Sequence, residues 1–199
     1  MSAALLPPFL TPEALPRKRF TRQEVERLME SGVFDGQRWE LIDGDLIDKM
    51  GQKPLHASAI RRVLIALAKI FDLSLIQVQL PIEASSEDRE RSLPEPDLAV
   101  LAEVNPEYVK RHPRGDEVLL AVEVSDSTAA FDLSRKAALY ARAAVREYWV
   151  LDLTRRLLVV HRQPDDSTYR LTQLFSEGDT VSVEGRAGTL QVRDLLPDR

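Results

Sequence analysis

The chain contains no cysteine. Disulfides, zinc–thiolate sites and a cysteine nucleophile are thereby excluded. Histidine is nearly as scarce. His56, His112 and His161 are the only three, and their wide spacing argues against a histidine-built zinc site. No apolar run is long enough to span a bilayer. The first residues are apolar and Pro-rich but lack the basic stretch that opens a signal peptide, so residues 1–19 read as an N-terminal arm; the absence of cysteine is compatible with the cytoplasm, the expected location. A basic surplus is missing too. A net charge of −5 argues against a strong, sequence-independent grip on nucleic acid. It leaves room for a small basic patch, or for a metal ion that offsets local negative charge. What is present fits one domain with a sizeable core, over residues 20–199: the chain has 199 residues, 44% of them hydrophobic and 30% charged.

Thr21 and Glu24 form a capping-box pattern that starts a helix running to about Glu30. Asp43-Gly44 between two apolar runs predicts a two-residue hairpin. Ile60, Val63, Leu64, Leu67 and Phe71 recur at helical spacing, which predicts a helix over residues 56–71. Strands are expected over 75–82, 97–101 and 119–125, with a charged, flexible loop over 84–92. Residues 147–153 and 157–162 read as an antiparallel pair turning at residues 154–156. Residues 169–175 and 180–183 read as a further pair around Glu177-Gly178, and the tail over 190–196 is expected to pack back onto the body. Hairpins with two inserted helices indicate an α+β fold around a mostly antiparallel or mixed sheet.

Within that pattern one residue is out of place. Glu123 puts a carboxylate inside an apolar strand, where it must be paired, protonated or bound to a metal. A polar connection, residues 105–116, separates its strand from the one headed by Asp97. If the two strands form a hairpin centred near residue 110, Asp97 stands opposite Glu123. Facing carboxylates repel, and a divalent ion is one way to keep both ionised. Mg²⁺ and Mn²⁺ take oxygen ligands. If Lys136 reaches the same place from the next helix, such a site has the parts that phosphodiester hydrolysis needs.

The ordered set Trp39-Glu40-Leu41-Ile42-Asp43-Gly44, His56, Gln79-Leu80-Pro81-Ile82, Pro94-Glu95-Pro96-Asp97-Leu98-Ala99-Val100, Val122-Glu123-Val124-Ser125-Asp126-Ser127-Thr128, Asp132, Lys136 and Glu147-Tyr148-Trp149 resembles the Uma2 family. That is a restriction-endonuclease-like group of the PD-(D/E)XK nuclease superfamily. The resemblance implies a mixed sheet flanked by helices and a Mg²⁺- or Mn²⁺-dependent endonuclease, with DNA as the expected substrate. Carried over by position, Asp97 and Glu123 are the two strand acids, Glu40 is an additional acid, and the main-chain carbonyl of Val124 is a further metal ligand. The superfamily's lysine normally stands two residues after the second acid, where this chain has Ser125; Lys136 would serve from the helix instead. Ala144-Val145 stands where a glycine is usual. Cutting both strands of a duplex with a one-site domain implies a homodimer.

Other readings compete. Glu123 and Lys136 could be a structural ion pair. Glu40 could be a strand-edge acid, and Asp132 a helix-start or Lys136-pairing residue. His56 reads as a helix-start residue that orients a neighbour, and Gln79 as an exposed strand glutamine. Arg61-Arg62 and the 110–114 basic cluster read as solvated faces. Tyr148 and Trp149 read as core. The whole chain could also be a non-catalytic nuclease-fold module that binds nucleic acid or a protein partner. Its mark would be acids that do not converge, or acids closed off by basic side chains.

Overall fold

The computed structural model describes residues 17–49 and 53–198. Most of the expected arm therefore lies outside the described residues; of its last positions, Lys18 pairs with Glu24 at 2.6 Å and Arg19 with Asp45. Helix α1 (Arg22–Glu30) starts at the expected capping box: the Thr21 hydroxyl accepts from the Glu24 amide, and Glu24 accepts from the Thr21 amide. Strands β1 (Trp39–Ile42) and β2 (Asp45–Asp48) form the expected hairpin. Its turn residues, Asp43 and Gly44, both have positive φ, 49° and 81°, as a type I′ turn requires. Helix α2 (Pro54–Leu67) buries Ala59, Ile60, Val63, Ala66 and Leu67.

The main sheet has six strands in the order β3-β4-β5-β6-β7-β8. They are β3 (Ile76–Val78), β4 (Leu98–Leu101), β5 (Val118–Ser125), β6 (Glu147–Asp152), β7 (Leu157–Asp165) and β8 (Thr168–Ser176). Neighbours are antiparallel except β5 and β6, which run parallel, so the sheet is mixed. The parallel pair needs a crossover, supplied by α3 (Ala129–Phe131), a π turn over Asp132–Lys136 and α4 (Ala137–Arg142). Alternation along the strands makes two cores. Leu98, Val100, Leu120, Val122 and Trp149 pack with α2 on one face. Ala99, Ala121, Tyr148 and Val150 pack with Tyr140 of α4 on the other.

The structure departs from the sequence reading at several places. The strand expected over 75–82 stops at Val78, because Gln79 turns to a φ of 51° and Pro81 has no amide to donate. The expected pairing of 169–175 with 180–183 does not form. Instead β8 pairs along β7, with Asp165 opposite Thr168, and the short β9 (Thr180–Val181) pairs with β10 (Leu190–Gln191) ahead of α5 (Val192–Leu195). Strand β7 runs past Arg162 because its last residues extend beyond β6, whose first residue, Glu147, pairs with Arg162. Pro164 therefore removes no bond from that ladder. Finally, the 84–92 loop is tied down. Arg22 donates to the Glu90 carbonyl, Gly44 to the Arg91 carbonyl and Arg142 to Asp88, at 2.7 Å each.

Gly44 is the hinge of this tie. A Cβ there would lie 2.9 Å from the Arg19 Cβ, and the φ is one that side-chain-bearing residues adopt only under strain. Gly44→Ala should lower stability in urea denaturation by about 1–3 kcal/mol. A change within experimental error would show that the turn is not constrained in this way.

Candidate active site

The predicted register holds. Leu98 pairs with Val122 and Ala99 with Ala121, which sets Asp97, just ahead of β4, opposite Glu123. A bulge follows between Val100 and Leu101, but it lies at the far end of the pair and leaves the acids in place. Asp97 and Glu123 share a cavity of about 230 Å³ with Glu40, His56, Val124, Asp132 and Lys136. Its ionisable side chains other than the rim residues are deeply buried: Asp97 is 2% exposed, Glu123, Asp132 and Lys136 3%, and Glu40 4%.

The hairpin delivers Glu40. Arg135, in the π turn, reaches across to Asp45 at 2.9 Å and to Asp43 and the Ile42 carbonyl at 3.2 Å. That contact docks the hairpin on the crossover and brings Glu40 against the next residue, Lys136. The Lys136 ammonium then lies 2.7 Å from Glu40 Oε1 and 2.8 Å from Glu123 Oε1, with Asp132 at 4.0 Å. The wide π turn puts Asp132 and Lys136 on one side of the helix; such turns are frequent at functional sites. Asp132 accepts from the hydroxyls of Ser125 at 2.8 Å and Thr128 at 2.6 Å. Ser125, two residues after Glu123, thus anchors Asp132.

Asp97 is held differently. Its Oδ2 accepts from the Val124 amide at 2.9 Å and lies 3.3 Å from His56 Nε2, and Gln79 approaches Oδ1 at 3.4 Å. The same His56 nitrogen is 2.8 Å from the Val124 carbonyl oxygen. Both neighbours are acceptors, so Nε2 carries the proton. Burial alone would raise the Asp97 pKa, but the His56 hydrogen bond, Lys49 and the Val124 amide outweigh it and hold it at about 2. Burial pushes Glu123 the opposite way, upward, against the pull of Lys136 and Lys49. Burial would also lower the Lys136 pKa, but Glu123, Glu40 and Asp132 reverse it, so the ammonium stays charged. The two facing carboxyls are thereby split into one firm anion and one that takes up a proton readily.

Every expected site residue is therefore brought to one cavity. His56, expected at a helix start and orienting a neighbour, does so by touching Asp97 and the Val124 carbonyl; Gln79, expected to be an exposed strand glutamine, approaches Asp97 instead. Tyr140 was passed over. Its hydroxyl donates to Glu123 Oε1 at 2.8 Å; the spacing of Lys136 and Tyr140, four residues apart in a helical pattern, was the available signal. The basic clusters are not at the site: Arg62 pairs with Asp198, Lys110 with Glu107 and Arg111 with Glu117.

A family model described as "Putative restriction endonuclease", Uma2, matches residues 22–193. The chain belongs to the Uma2 family. Among solved structures it is similar to a crystal structure of a putative nuclease belonging to DUF820 from Anabaena variabilis ATCC 29413. The TM-score is 0.58 at 16% identity, over 79% of this chain and 88% of that one. At that identity the likeness concerns the fold: a mixed sheet flanked by helices. No curated protein matches. No helix among the described residues of this Uma2 protein is long and apolar enough to cross a membrane.

Two outcomes follow from the charge arrangement. Lys136→Met would remove the partner that Glu40 and Glu123 share and should destabilise the metal-free protein by about 3–5 kcal/mol; a loss below about 1 kcal/mol in denaturant titration would mean that the ammonium is not what holds them together. The pKa of Asp97 lies below its ordinary 3.8, so its stabilisation is present above that value and fades as the pH falls through about 2. Asp97→Asn should be less stable than the wild type near neutral pH, with the gap narrowing in acid. A gap independent of pH would contradict the assignment.

Proposed function

We propose that this protein is a divalent-metal-dependent endonuclease acting on DNA. The observation that carries the reading is the convergence of Asp97, Glu123, Glu40 and Lys136, from four separate segments, on one cavity. Two acids and a lysine, in a family described as "Putative restriction endonuclease", support a phosphodiesterase site.

The metal fits by donor chemistry. Asp97, Glu123 and the Val124 carbonyl offer only oxygens, the set that Mg²⁺ and Mn²⁺ prefer, and Glu40 adds another carboxylate. Both hydrogen bonds to Glu123 fall on Oε1, which leaves Oε2 without one among the described residues. A finished cage is not there: among the described residues no three acidic or histidine side chains are grouped closely enough to hold an ion. When bound, the ion would polarise the phosphoryl group and activate water.

The residues do the rest. Lys136 is a buried ammonium fixed by Glu40 and Glu123, placed to orient the attacking water or to stabilise charge on the phosphate. Glu40 fixes Lys136 and assists in binding metal or water. His56 holds Asp97 and the Val124 carbonyl in one orientation, in the way that outer partners orient metal ligands. A homodimer would allow both strands of a duplex to be cut, and the cytoplasm is the compartment proposed.

One observation favours a second reading. Lys136 already bridges Glu40 and Glu123, as expected if the acids form a closed structural network. The chain would then be a nuclease-fold module that binds nucleic acid or a protein partner without cutting.

Cleavage of single-stranded and double-stranded DNA and of RNA, with Mn²⁺ or Mg²⁺, separates the two. We expect metal-dependent cleavage of DNA by the wild type, reduced by at least about 100-fold in Asp97→Asn and Glu123→Gln. Binding of a nucleic acid without cleavage under any metal condition would favour the module.

A further inference from the structure

We infer that Tyr140 is a positioning residue that makes Glu123 a one-oxygen ligand and so tunes the site toward Mg²⁺ and Mn²⁺ and away from Ca²⁺; this rests on the metal reading above. Tyr140 is fully buried in α4, one helical turn after Lys136. Its hydroxyl and the Lys136 ammonium both donate to the same oxygen, Glu123 Oε1, each at 2.8 Å. Oε1 is thus engaged twice and Oε2 is left without a hydrogen bond among the described residues.

A second buried acid shows what a fully structural role looks like in this fold. Glu147 Oε1 accepts from the Trp149 indole and the Arg162 guanidinium at 2.7 Å, and its Oε2 accepts from the Glu184 amide at 2.7 Å. Both oxygens are used. Glu123 is arranged asymmetrically instead, and its donors hold the side chain by one end.

That asymmetry has a chemical consequence. Mg²⁺ demands near-ideal octahedral geometry, whereas Ca²⁺ takes more oxygens and often binds carboxylates through both. A glutamate with one oxygen held by two donors suits the smaller ion. Without the Tyr140 hydroxyl, Oε1 keeps only Lys136, and the carboxylate becomes freer to turn both oxygens to an ion. The tyrosine ring itself is fixed by packing 4.8 Å from Tyr148, so Tyr140→Phe removes the hydroxyl and keeps the shape. Tyr148 supplies a matched control: it is equally buried, but its hydroxyl donates to the Asp132 carbonyl at 3.1 Å.

Titration calorimetry of the full chain with MnCl₂ and with CaCl₂ tests this on the wild type, Tyr140→Phe and Tyr148→Phe, with metal-free melting curves to verify folding. We expect Tyr140→Phe to lose about 10–100-fold in Mn²⁺ affinity and less in Ca²⁺ affinity, so that the preference narrows, while Tyr148→Phe keeps the wild-type ratio. Equal losses for both ions, equal losses in both variants, or an unchanged ratio would overturn the role. Absence of Mn²⁺ binding by the wild type would instead remove the metal reading beneath it. Infrared spectra of the Mn²⁺-loaded wild type give an answer that needs no folded Tyr140 variant. The Glu123 stretches, assigned by difference from Glu123→Gln, should have the wide splitting of a carboxylate bound through one oxygen; the narrow splitting of two-oxygen binding would refute the proposal.

Discussion

The Lys136 ammonium ties together carboxylates from two distant parts of the chain. Glu40 comes from the N-terminal hairpin and Glu123 from the central strand, and each lies within 2.8 Å of the same nitrogen. Charges this deeply buried are tolerated only as a mutually satisfied group. Much of the surrounding structure serves that requirement. Arg135 presses the hairpin onto the crossover, the π turn sets Lys136 over the sheet, and the hydroxyls of Ser125 and Thr128 hold Asp132 beside it.

The opposite wall of the cavity depends on a separate unit. Asp97 is pinned by the Val124 amide and by His56, which also holds the Val124 carbonyl. Asp97 stays ionised while burial pushes Glu123 toward its neutral form. A divalent cation entering between them would favour the ionised form of Glu123, and its affinity should follow the ionisation of that carboxyl. Structural and catalytic readings of Lys136 are therefore less opposed than they look. Under the proposed function, an ion pair that keeps the site folded would also be a positioned ammonium for a phosphate.

The parts of this arrangement legible in the sequence are those set by local geometry. The capping box at Thr21 and Glu24 and the Asp43-Gly44 turn follow from side-chain chemistry over a few residues. The facing of Asp97 and Glu123 follows from the symmetry of a hairpin about its connection, confirmed by the pairing of Leu98 with Val122. What could not be read depends on tertiary contacts. The positive φ of Gln79, the extension of β7 beyond β6 and the π turn at Asp132–Lys136 have no local signature. His56 is legible as a helix-start residue that orients a neighbour, but not which one, because its partners Asp97 and Val124 are 41 and 68 positions away. Tyr140 lies in the core, and its hydroxyl meets Glu123 only because the sheet and the crossover helix bring the two together.

The most direct measurement of the central claim is anomalous diffraction from crystals of the wild-type protein soaked in Mn²⁺. An anomalous peak bounded by Asp97, Glu123 and the Val124 carbonyl, with Lys136 still beside Glu40, is the predicted result. A cavity without manganese in crystals that take it up elsewhere, with Lys136 still bridging Glu40 and Glu123, would contradict the claim and leave the acids as a structural network.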